Sequence, residues 1–301
     1  MDRFEEMRVF VRVAEDGGFS AASRTLSLTP SAISKLIARL EARLGVRLFQ
    51  RSSRQVFLTA EGENFYAGAL RALEAVDEAE AVSLGAGTPT GILRIRSVPT
   101  FARYQLAPLM PEFLRRHPRL QVEFLLSNEG VGLLDGNVDV AIRSGELTDS
   151  SLISRRIASS RWIICASPRY LEAHGTPASA VDLANHECLN FSMSTHWNAW
   201  PFTTGNGQPS RVKARGRIAA NQGDMLLALA RAGMGIVRLA EFHISEDLAD
   251  GRLVPLFPDQ QDDTEEPIYA VYQNRRHLSP RVRVFLDFLE ESFSRGPPPW
   301  R

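Results

Sequence analysis

The chain has little of what several protein classes require. Cysteine occurs at only two of its 301 positions, Cys165 and Cys188, which excludes the disulfide framework of a small secreted domain. No apolar run reaches the roughly 18 residues of a membrane span, and the first residues lack the basic and then apolar pattern of a secretory signal. We therefore expect a cytoplasmic protein without a membrane partner. Both cysteines lie in strand-like apolar runs, which favours buried reduced thiols over a redox switch.

Positive charge is concentrated in one stretch of an otherwise neutral chain. The whole sequence has 35 Lys and Arg against 35 Asp and Glu, but residues 20–59 hold seven cations and a single anion, Glu41. Contacts to phosphates supply most of the sequence-independent affinity for DNA, so such a patch is the expected footprint of a DNA-binding head. A solvated helical face would explain the charge alone. The local motifs decide between the two interpretations.

Two short helical patterns meet at a tight corner within this stretch. Ser20 is the predicted N-cap of the first helix, and Thr29 that of the second, with Pro30 at its first helical position. Gly45 ends the second helix. The buried stripe of that helix is Ile33, Ile37, Leu40 and Leu44. Its other face offers small groups, hydroxyls and cations, which can enter the major groove and reach bases and phosphates: Ser31, Ser34, Lys35, Ala38 and Arg39.

Two short β-like runs follow, at residues 46–51 and 54–59, and they predict a hairpin wing with arginines at its tip. Caps, corner, small-residue face and wing agree with the charge pattern, so we predict that this head binds double-stranded DNA. The predicted DNA-binding residues are Ser20, Thr29, Pro30, Ser31, Ser34, Lys35, Arg39, Arg51 and Arg54.

The first 60 or so residues resemble the winged helix-turn-helix of the LysR-type transcriptional regulators. The residues that carry the resemblance are Phe10, Ala14 and the stretches 17–22, 29–34, 37–41, 44–51 and 58–62. Ala60 departs from the family pattern, which often has proline there. The resemblance implies a bacterial sequence-specific regulator of transcription, with RNA polymerase as a candidate partner and a tetramer as a frequent assembly.

Residues 60–84 predict one long helix, which at about 25 residues would span roughly 37 Å. Its apolar stripe is too long to be buried by the small head, and pairing with a second copy would bury it. Packing against its own chain is the alternative. We predict at least a homodimer, with these dimerisation residues: Phe65, Ala69, Leu73 and Val76.

After a glycine-rich linker the pattern changes to alternating strands and helices, which predicts parallel sheets with covering helices. Two chain crossings, near Ile163 and Pro267, would divide this region into two lobes around a cleft. It resembles the two-lobed effector domain of the same family, which is itself similar to periplasmic solute-binding proteins. The predicted fold class is thus α+β multidomain, with a winged helix-turn-helix at 1–59, a linker helix at 60–87 and an α/β effector domain at 88–301. Lobe 1 comprises 88–162 and 268–301, and lobe 2 comprises 163–267.

Ligands of such sheets bind beyond the carboxyl ends of the strands. That rule selects these residues for a small-molecule effector: Ser97, Thr100, Phe101, Ser127, Arg143, Asn190, Asn221 and Gln222. Arg143 would suit a carboxylate, and Trp197 and Phe202 would suit an aromatic ring. The alternative is that the polar residues only cap helices and that Arg143 pairs with Glu146. The tail at 296–300 is expected to be disordered.

An enzyme is the weaker functional interpretation. The sequence has no G-x-S-x-G elbow, no zinc-ligand spacing and no Walker loop, and its six histidines are scattered. The glycines at 85–91 precede a strand, whereas those of a phosphate loop follow one. We therefore predict a regulator whose DNA binding is modulated by an effector, with no cofactor and no metal. A constitutive DNA-binding protein with a vestigial cleft is the remaining alternative.

Overall fold

The computed structural model describes residues 3–51, 56–83, 89–128, 138–145, 152–193, 195–203, 209–258, 264–273, 278–293 and 300. The chain forms two compact units, Met1–Gly91 and Ile92–Arg301. The finer domain and lobe boundaries given above stay predictions. The loop helix expected near 131–134, the linker at 85–87 and the tail at 296–299 lie outside the described residues.

The first unit is a winged helix-turn-helix followed by a long helix. Its elements are α1 Arg3–Glu15, α2 Phe19–Leu26, α3 Pro30–Leu44, β1 Phe49–Arg51, β2 Val56–Leu58 and α4 Ala60–Ser83. The two strands pair antiparallel, with Phe49 opposite Leu58. The predicted wing and the predicted long helix are therefore both confirmed.

The caps of the two central helices differ in how well the sequence predicts them. The Thr29 hydroxyl accepts a hydrogen bond from the Ala32 amide at 3.2 Å, Pro30 is the first helical residue, and Gly45 ends α3 with a φ of 74°. These predictions are confirmed. The prediction that Ser20 caps α2 is wrong, because the helix begins at Phe19 and its N-cap is Gly18.

The core of the first unit combines α1, α3, the wing and the start of α4. Phe10 is its centre, with ring contacts to Phe49 at 5.1 Å and to Phe65 at 5.2 Å. Ala69 is also buried in this cluster, and Leu73 packs against it. The first half of the α4 stripe is therefore covered by its own chain. Phe4, expected on the buried stripe of α1, is exposed.

The second unit contains two lobes, each built on a five-stranded sheet. Its strands in chain order are β3 Gly91–Ser97, β4 Leu120–Leu126, β5 Val140–Ser144, β6 Leu152–Ser160, β7 Trp162–Ala166, β8 Cys188–Phe191, β9 Ala199–Thr203, β10 Pro209–Lys213, β11 Ala219–Ala220, β12 Ile236–Ala240, β13 Val254–Pro255 and β14 Glu266–Gln273. Its helices are α5 Pro99–Phe101, α6 Met110–Arg116, α7 Pro168–His174, α8 Gly223–Arg231, α9 Glu241–Ala249 and α10 Pro280–Phe293.

Both sheets are mixed. The first lobe has the strand order β4-β3-β5-β14-β6, and the second has β11-β8-β12-β7-β13. The pairs β3–β5 and β8–β12 are parallel, as the alternating pattern predicts. The crossing strands are antiparallel: β14 pairs in this way with β5 and β6, and β7 with β12. Strands β6 and β9 and helices α7 and α9 were not predicted.

The alternating pattern of the second unit predicts a helix over residues 102–116, and the structure has a helical but irregular segment there. It runs through α5, a π-helical turn at Ala102–Leu106 and a 3₁₀ turn at Ala107–Leu109 before α6. Pro108 explains the change of winding, because it cannot donate the backbone hydrogen bond that a regular α-helix requires.

Trp300, the one described residue of the tail predicted to be disordered, has a defined position. Its indole is buried and lies 6.3 Å from Phe101, 6.0 Å from Phe242 and 5.8 Å from Phe293, measured between ring centroids. The burial of Trp300 depends on residues far away in the chain, so the composition of the tail does not predict it. Among the helices described, none combines the length and apolar character needed to cross a membrane.

Candidate functional site

Helix α3 presents two contrasting faces. Ile33, Ile37 and Leu40 are fully buried on one side. The opposite side exposes Ser31, Lys35, Ala38 and Arg39, while Ser34 is half-buried between them. The buried stripe fixes the rotation of the helix on the core, so the small residues and cations face solvent. Such a face can enter a major groove without steric obstruction.

The cations of the head serve two different purposes. Arg43 binds Glu6 of α1 at 2.9 Å and so ties two helices together. Arg47 lies 3.9 Å from Glu41, whose carboxylate also accepts from the Leu48 amide at 2.8 Å. By contrast, Arg24, Lys35 and Arg39 are exposed, and no acidic residue in the described part of the chain forms an ion pair with them. These three remain available to phosphates.

The other predicted DNA-binding residues have mixed positions. Ser20 is exposed, and its carbonyl accepts from the Ser23 hydroxyl at 2.9 Å. Thr29 and Pro30 are exposed at the start of α3, and the hydroxyls of Thr29 and Ser31 lie 3.1 Å apart. The Arg51 side chain and the whole of Arg54 lie outside the described part of the chain.

The wing is anchored to the start of α4. The Thr59 amide donates to the carbonyl oxygen of Leu48 at 3.0 Å, and the Thr59 hydroxyl donates to that of Arg47 at 2.7 Å. The same hydroxyl accepts from the Gly62 amide at 2.9 Å, so Thr59 caps α4. These bonds couple the position of the wing to the direction of the long helix.

A second candidate site lies between the two lobes of the second unit. It is a cavity of about 30 Å³, room for about one water molecule. Its polar lining residues are Thr100, Asn128, Ser144, Ser160, His243 and Glu266. Residues from both lobes contribute, so any occupant contacts both.

Aromatic rings form one wall of this cavity. The centroids of Trp162 and Trp197 are 5.4 Å apart, and Phe191 lies 5.1 Å from Trp197. The Trp162 indole nitrogen donates to a carboxylate oxygen of Glu266 at 2.5 Å, and the Arg238 guanidinium lies over the Trp162 ring at 5.0 Å. Trp197 thus walls the cavity as predicted, whereas Phe202 is buried in a different cluster of lobe 2.

Hydrogen bonds connect the lobes around the cavity. The Asn128 side-chain amide of lobe 1 donates to the Asn221 carbonyl at 2.5 Å and to Gln222 Oε1 at 3.2 Å in lobe 2. The Gln105 side chain donates to the Phe242 carbonyl at 2.7 Å. The two lobes are therefore held in one relative position by bonds that a change of lobe angle would break.

An ionic cluster reinforces the same junction. Asp224, at the start of α8, contacts His243 Nε2 at 3.1 Å and Arg103 of lobe 1 at 3.3 Å. The hydrogen bond from His243 is the main cause that lowers the pKa of Asp224 from 3.8 to about 2. The carboxylate is thus charged at neutral pH and joins the two lobes.

The structure brings only part of the predicted effector set to the cavity. Thr100 lines it, and Asn221 and Gln222 form the bridge with Asn128. Ser97 and Phe101 are buried beside it, and the Ser127 amide donates to the Ser97 carbonyl. The Asn190 side chain turns away and donates to the carbonyls of Cys188 and Ala214.

Arg143 does not line this cavity. Its neighbours Ile142 and Ser144 face the core and the cavity, so strand alternation puts Arg143 on the opposite face of the sheet. Burial, and then the nearby Arg96, lower the pKa of Arg143. The predicted contact between Arg143 and an effector is untested, and the position of Arg143 does not support it.

Sequence reasoning missed most of the described cavity lining, and four of the missed residues can form side-chain hydrogen bonds: Ser160, Trp162, His243 and Glu266. Ser160 and Trp162 flank the first chain crossing, and Glu266 starts the strand after the second. Segments that cross between two lobes line the back of the cleft. The predicted crossings near Ile163 and Pro267 could therefore have indicated Ser160, Trp162 and Glu266. His243 had no such signal, because it follows from the packing of α9.

The two cysteines have no reactive character. Both are free and buried, and desolvation raises the pKa of the Cys188 thiol to about 12 and that of Cys165 further. The prediction of buried thiols is confirmed. In the part of the chain that the structure describes, no group of three or more His, Cys, Asp or Glu could hold a metal ion.

Two family models match the chain. Residues 4–63 match the bacterial regulatory helix-turn-helix protein of the lysR family, and residues 86–294 match the LysR substrate binding domain. The HTH-type transcriptional regulator CrgA of Neisseria meningitidis is 39% identical over 288 residues, which cover 95% of this chain and 96% of that protein.

Other relatives and a solved structure agree. The HTH-type transcriptional activator AaeR of Escherichia coli is 34% identical over 294 residues, with 97% of this chain and 94% of AaeR covered. The solved structure of CrgA has a TM-score of 0.65 and covers 97% of this chain and 99% of its own. The fold of both units is thus that of a full-length regulator.

Proposed function

The chain belongs to the LysR family of transcriptional regulators, and we propose that it reads its operator with the exposed face of α3 and takes its effector between the two lobes. As a member of that family it is a DNA-binding regulator with an effector-binding domain, and it is not an enzyme. The proposal concerns which residues carry these two activities.

One observation carries the DNA-binding half of the proposal. Lys35 and Arg39 are exposed on the side of α3 opposite its fully buried stripe, next to the small side chains of Ser31 and Ala38. Lys35 is central on this face and can reach a base edge or a phosphate. Arg39 lies one turn further on and suits the phosphate backbone.

The cavity supports an effector that bridges the lobes. Its present volume is too small for an organic molecule, so binding requires the lobes to separate and break the Asn128 bridge. A ligand that binds the altered lobe arrangement more tightly shifts the population toward it. In this way the effector would change how the paired heads of the oligomer meet two half-sites.

The cavity wall favours an aromatic effector over an anionic one. Trp162, Phe191 and Trp197 offer aromatic surface, and the carboxylate of Glu266 would repel a carboxylate ligand. Among the described lining residues none is Lys or Arg, and the guanidinium of Arg238 lies on the ring of Trp162 outside the lining set.

Competitive binding tests the operator half. The DNA immediately upstream of the protein's own gene competes with scrambled DNA of equal length at several salt concentrations. We expect a preference of about a thousandfold or more, as sequence-specific regulators show. Equal affinity for the two DNAs, together with no preferred site in neighbouring genes, would contradict the proposal.

A thermal-shift screen of small aromatic compounds on the full-length protein tests the effector half. A ligand at 100 times its dissociation constant should add about 2.7 kcal/mol to the free energy of unfolding. Asn128→Ala should change the affinity of any true effector, because the bridge must break when it binds. A compound whose affinity is the same in the wild type, Asn128→Ala and Glu266→Gln binds elsewhere.

We further propose a homodimer or homotetramer that acts in the cytoplasm and contacts RNA polymerase at its promoter. Oligomers are general in the family, and two heads match two half-sites. Adding RNA polymerase to the protein–DNA complex should produce a larger complex that neither protein forms alone on the same DNA.

A further inference from the structure

Lobe 2 contains a second pocket, and its described lining residues differ from those of the cavity between the lobes. We call it the hairpin pocket: it lies between the 3₁₀ helix Ala180–Asn185 and the antiparallel hairpin of β9 and β10. Its volume is about 700 Å³, within the range of roughly 300–1,000 Å³ that holds small organic ligands. It therefore has the space that the inter-lobe cavity lacks.

The floor of the hairpin pocket is apolar and packed. Leu183, Phe202 and Ala214 are buried in the outer core cluster of lobe 2, and all three line the pocket. Phe202 also packs edge-on against Phe257 at 5.3 Å. A hydrocarbon or aromatic group would meet a preformed surface here, and the transfer of its apolar area from water would favour binding.

The rim is positively charged. Lys213 and Arg215 line the pocket and are exposed, and in the described part of the chain no acidic residue pairs with either. Arg217, two residues on, behaves differently, since it binds Glu187 at 2.8 Å. The described lining residues include no Asp or Glu.

The nearest acid on the 3₁₀ helix does not neutralise this rim. The Asp182 carboxylate accepts hydrogen bonds from the amides of Ala178 and Ser179, at 3.0 and 2.8 Å, and from the Ser179 hydroxyl at 3.1 Å. It thus forms a capping box with Ser179, the N-cap of the same helix. The pocket combines an apolar floor with two cations at its mouth.

We propose that the hairpin pocket binds a small amphipathic carboxylate, with its apolar body on Leu183 and Phe202 and its carboxylate between Lys213 and Arg215. Arginine can bind a carboxylate through two parallel hydrogen bonds, and lysine adds a mobile charge. An inorganic anion would leave the apolar floor exposed to water, and a neutral alcohol would leave the cations without a partner.

Calorimetric titration of the full-length protein with octanoate tests the proposal, with octanol and octyltrimethylammonium as probes of equal chain length. We expect octanoate to bind most tightly and the ammonium compound least. The double variant Lys213→Gln/Arg215→Gln should weaken octanoate about tenfold or more and leave octanol unchanged. Arg169→Gln/Arg283→Gln removes two exposed arginines elsewhere in the same unit and should change neither affinity.

A second variant tests the location. Ala184 is exposed on the 3₁₀ helix and lines the pocket, so Ala184→Phe should put a ring in the pocket without disturbing the core and weaken octanoate binding. Octanoate affinity that survives both Ala184→Phe and the double variant would overturn the proposal, because the site would then lie elsewhere. No binding of octanoate at millimolar concentration would also overturn it.

Discussion

Gly62 of α4 lies directly against the carbonyl oxygen of Leu48 in the wing, so close that a Cβ at position 62 would approach that oxygen to less than 3.0 Å. The contact is between helix and backbone, and a backbone oxygen cannot move away as a flexible side chain can. Together with the bonds of Thr59, this close approach joins the wing to the long helix.

Gly62→Ala should therefore destabilise the DNA-binding unit by roughly 1–3 kcal/mol, the usual cost of forcing extra volume into packed structure. Gly68→Ala on the same helix is the matched control, because the nearest atom to its added Cβ is the end of the Arg71 side chain at 4.0 Å. That change should stabilise the helix by about 0.5–1 kcal/mol. Chemical unfolding of both variants checks the contrast, and equal stabilities would contradict it.

Lys35→Ala should weaken binding to the operator, because it removes an exposed cation from the groove face of α3. We expect a loss of about 1–3 kcal/mol if Lys35 contacts a base, and a salt slope reduced by about 1 if it contacts a phosphate. Arg169→Ala removes one positive charge outside the head and should leave both quantities unchanged. Wild-type affinity and salt slope for Lys35→Ala would mean that another face of α3 meets the DNA.

Val76→Glu should disrupt the oligomer. Phe65, Ala69 and Leu73 pack against the core of their own head, whereas Val76, almost a turn further along α4, is not among the described residues of that cluster. A partner's helix would cover it, and two facing carboxylates buried there would repel each other. Sedimentation equilibrium measures the effect, with Asn64→Glu on an exposed part of the same helix as control. An unchanged assembly state would locate the interface elsewhere.

Asp224→Asn should lower stability in a pH-dependent way. The folded pKa of Asp224, about 2, lies below its ordinary value of 3.8, so its carboxylate stabilises the folded state fully above pH 3.8 and loses this effect as the pH falls toward 2. We expect a loss of roughly 2 kcal/mol at pH 7 that shrinks between about pH 4 and pH 2. Urea unfolding at a series of pH values checks this.

Glu172→Gln is the control for that series, because Glu172 is exposed on α7. The difference in free energy of unfolding between Glu172→Gln and the wild type should stay nearly constant over the same pH range. A loss for Asp224→Asn that does not depend on pH would show that the hydrogen bond to His243 does not control its ionisation.

Local rules were enough for much of this fold. Thr29, Pro30 and Gly45 mark the ends of α3 because capping depends on residues within a few positions of each other. The spacing of Ile33, Ile37 and Leu40 determines which side of α3 is buried, and so which side is left for DNA. The same rules failed at Ser20, because the N-cap is Gly18, two residues earlier than the hydroxyl pattern suggests.

The sequence by itself thus determined the head, the long helix, the alternating strands of the second unit and, through them, the family and its function. Tertiary structure alone decided which side chains meet. It turned Arg143 away from the inter-lobe cavity, placed His243 and Glu266 in its wall, buried Trp300 among distant rings and opened the hairpin pocket. The physical reason is range: caps and periodicity are properties of neighbouring residues, whereas a cavity is formed by segments far apart in the chain whose contacts depend on the packing of whole sheets.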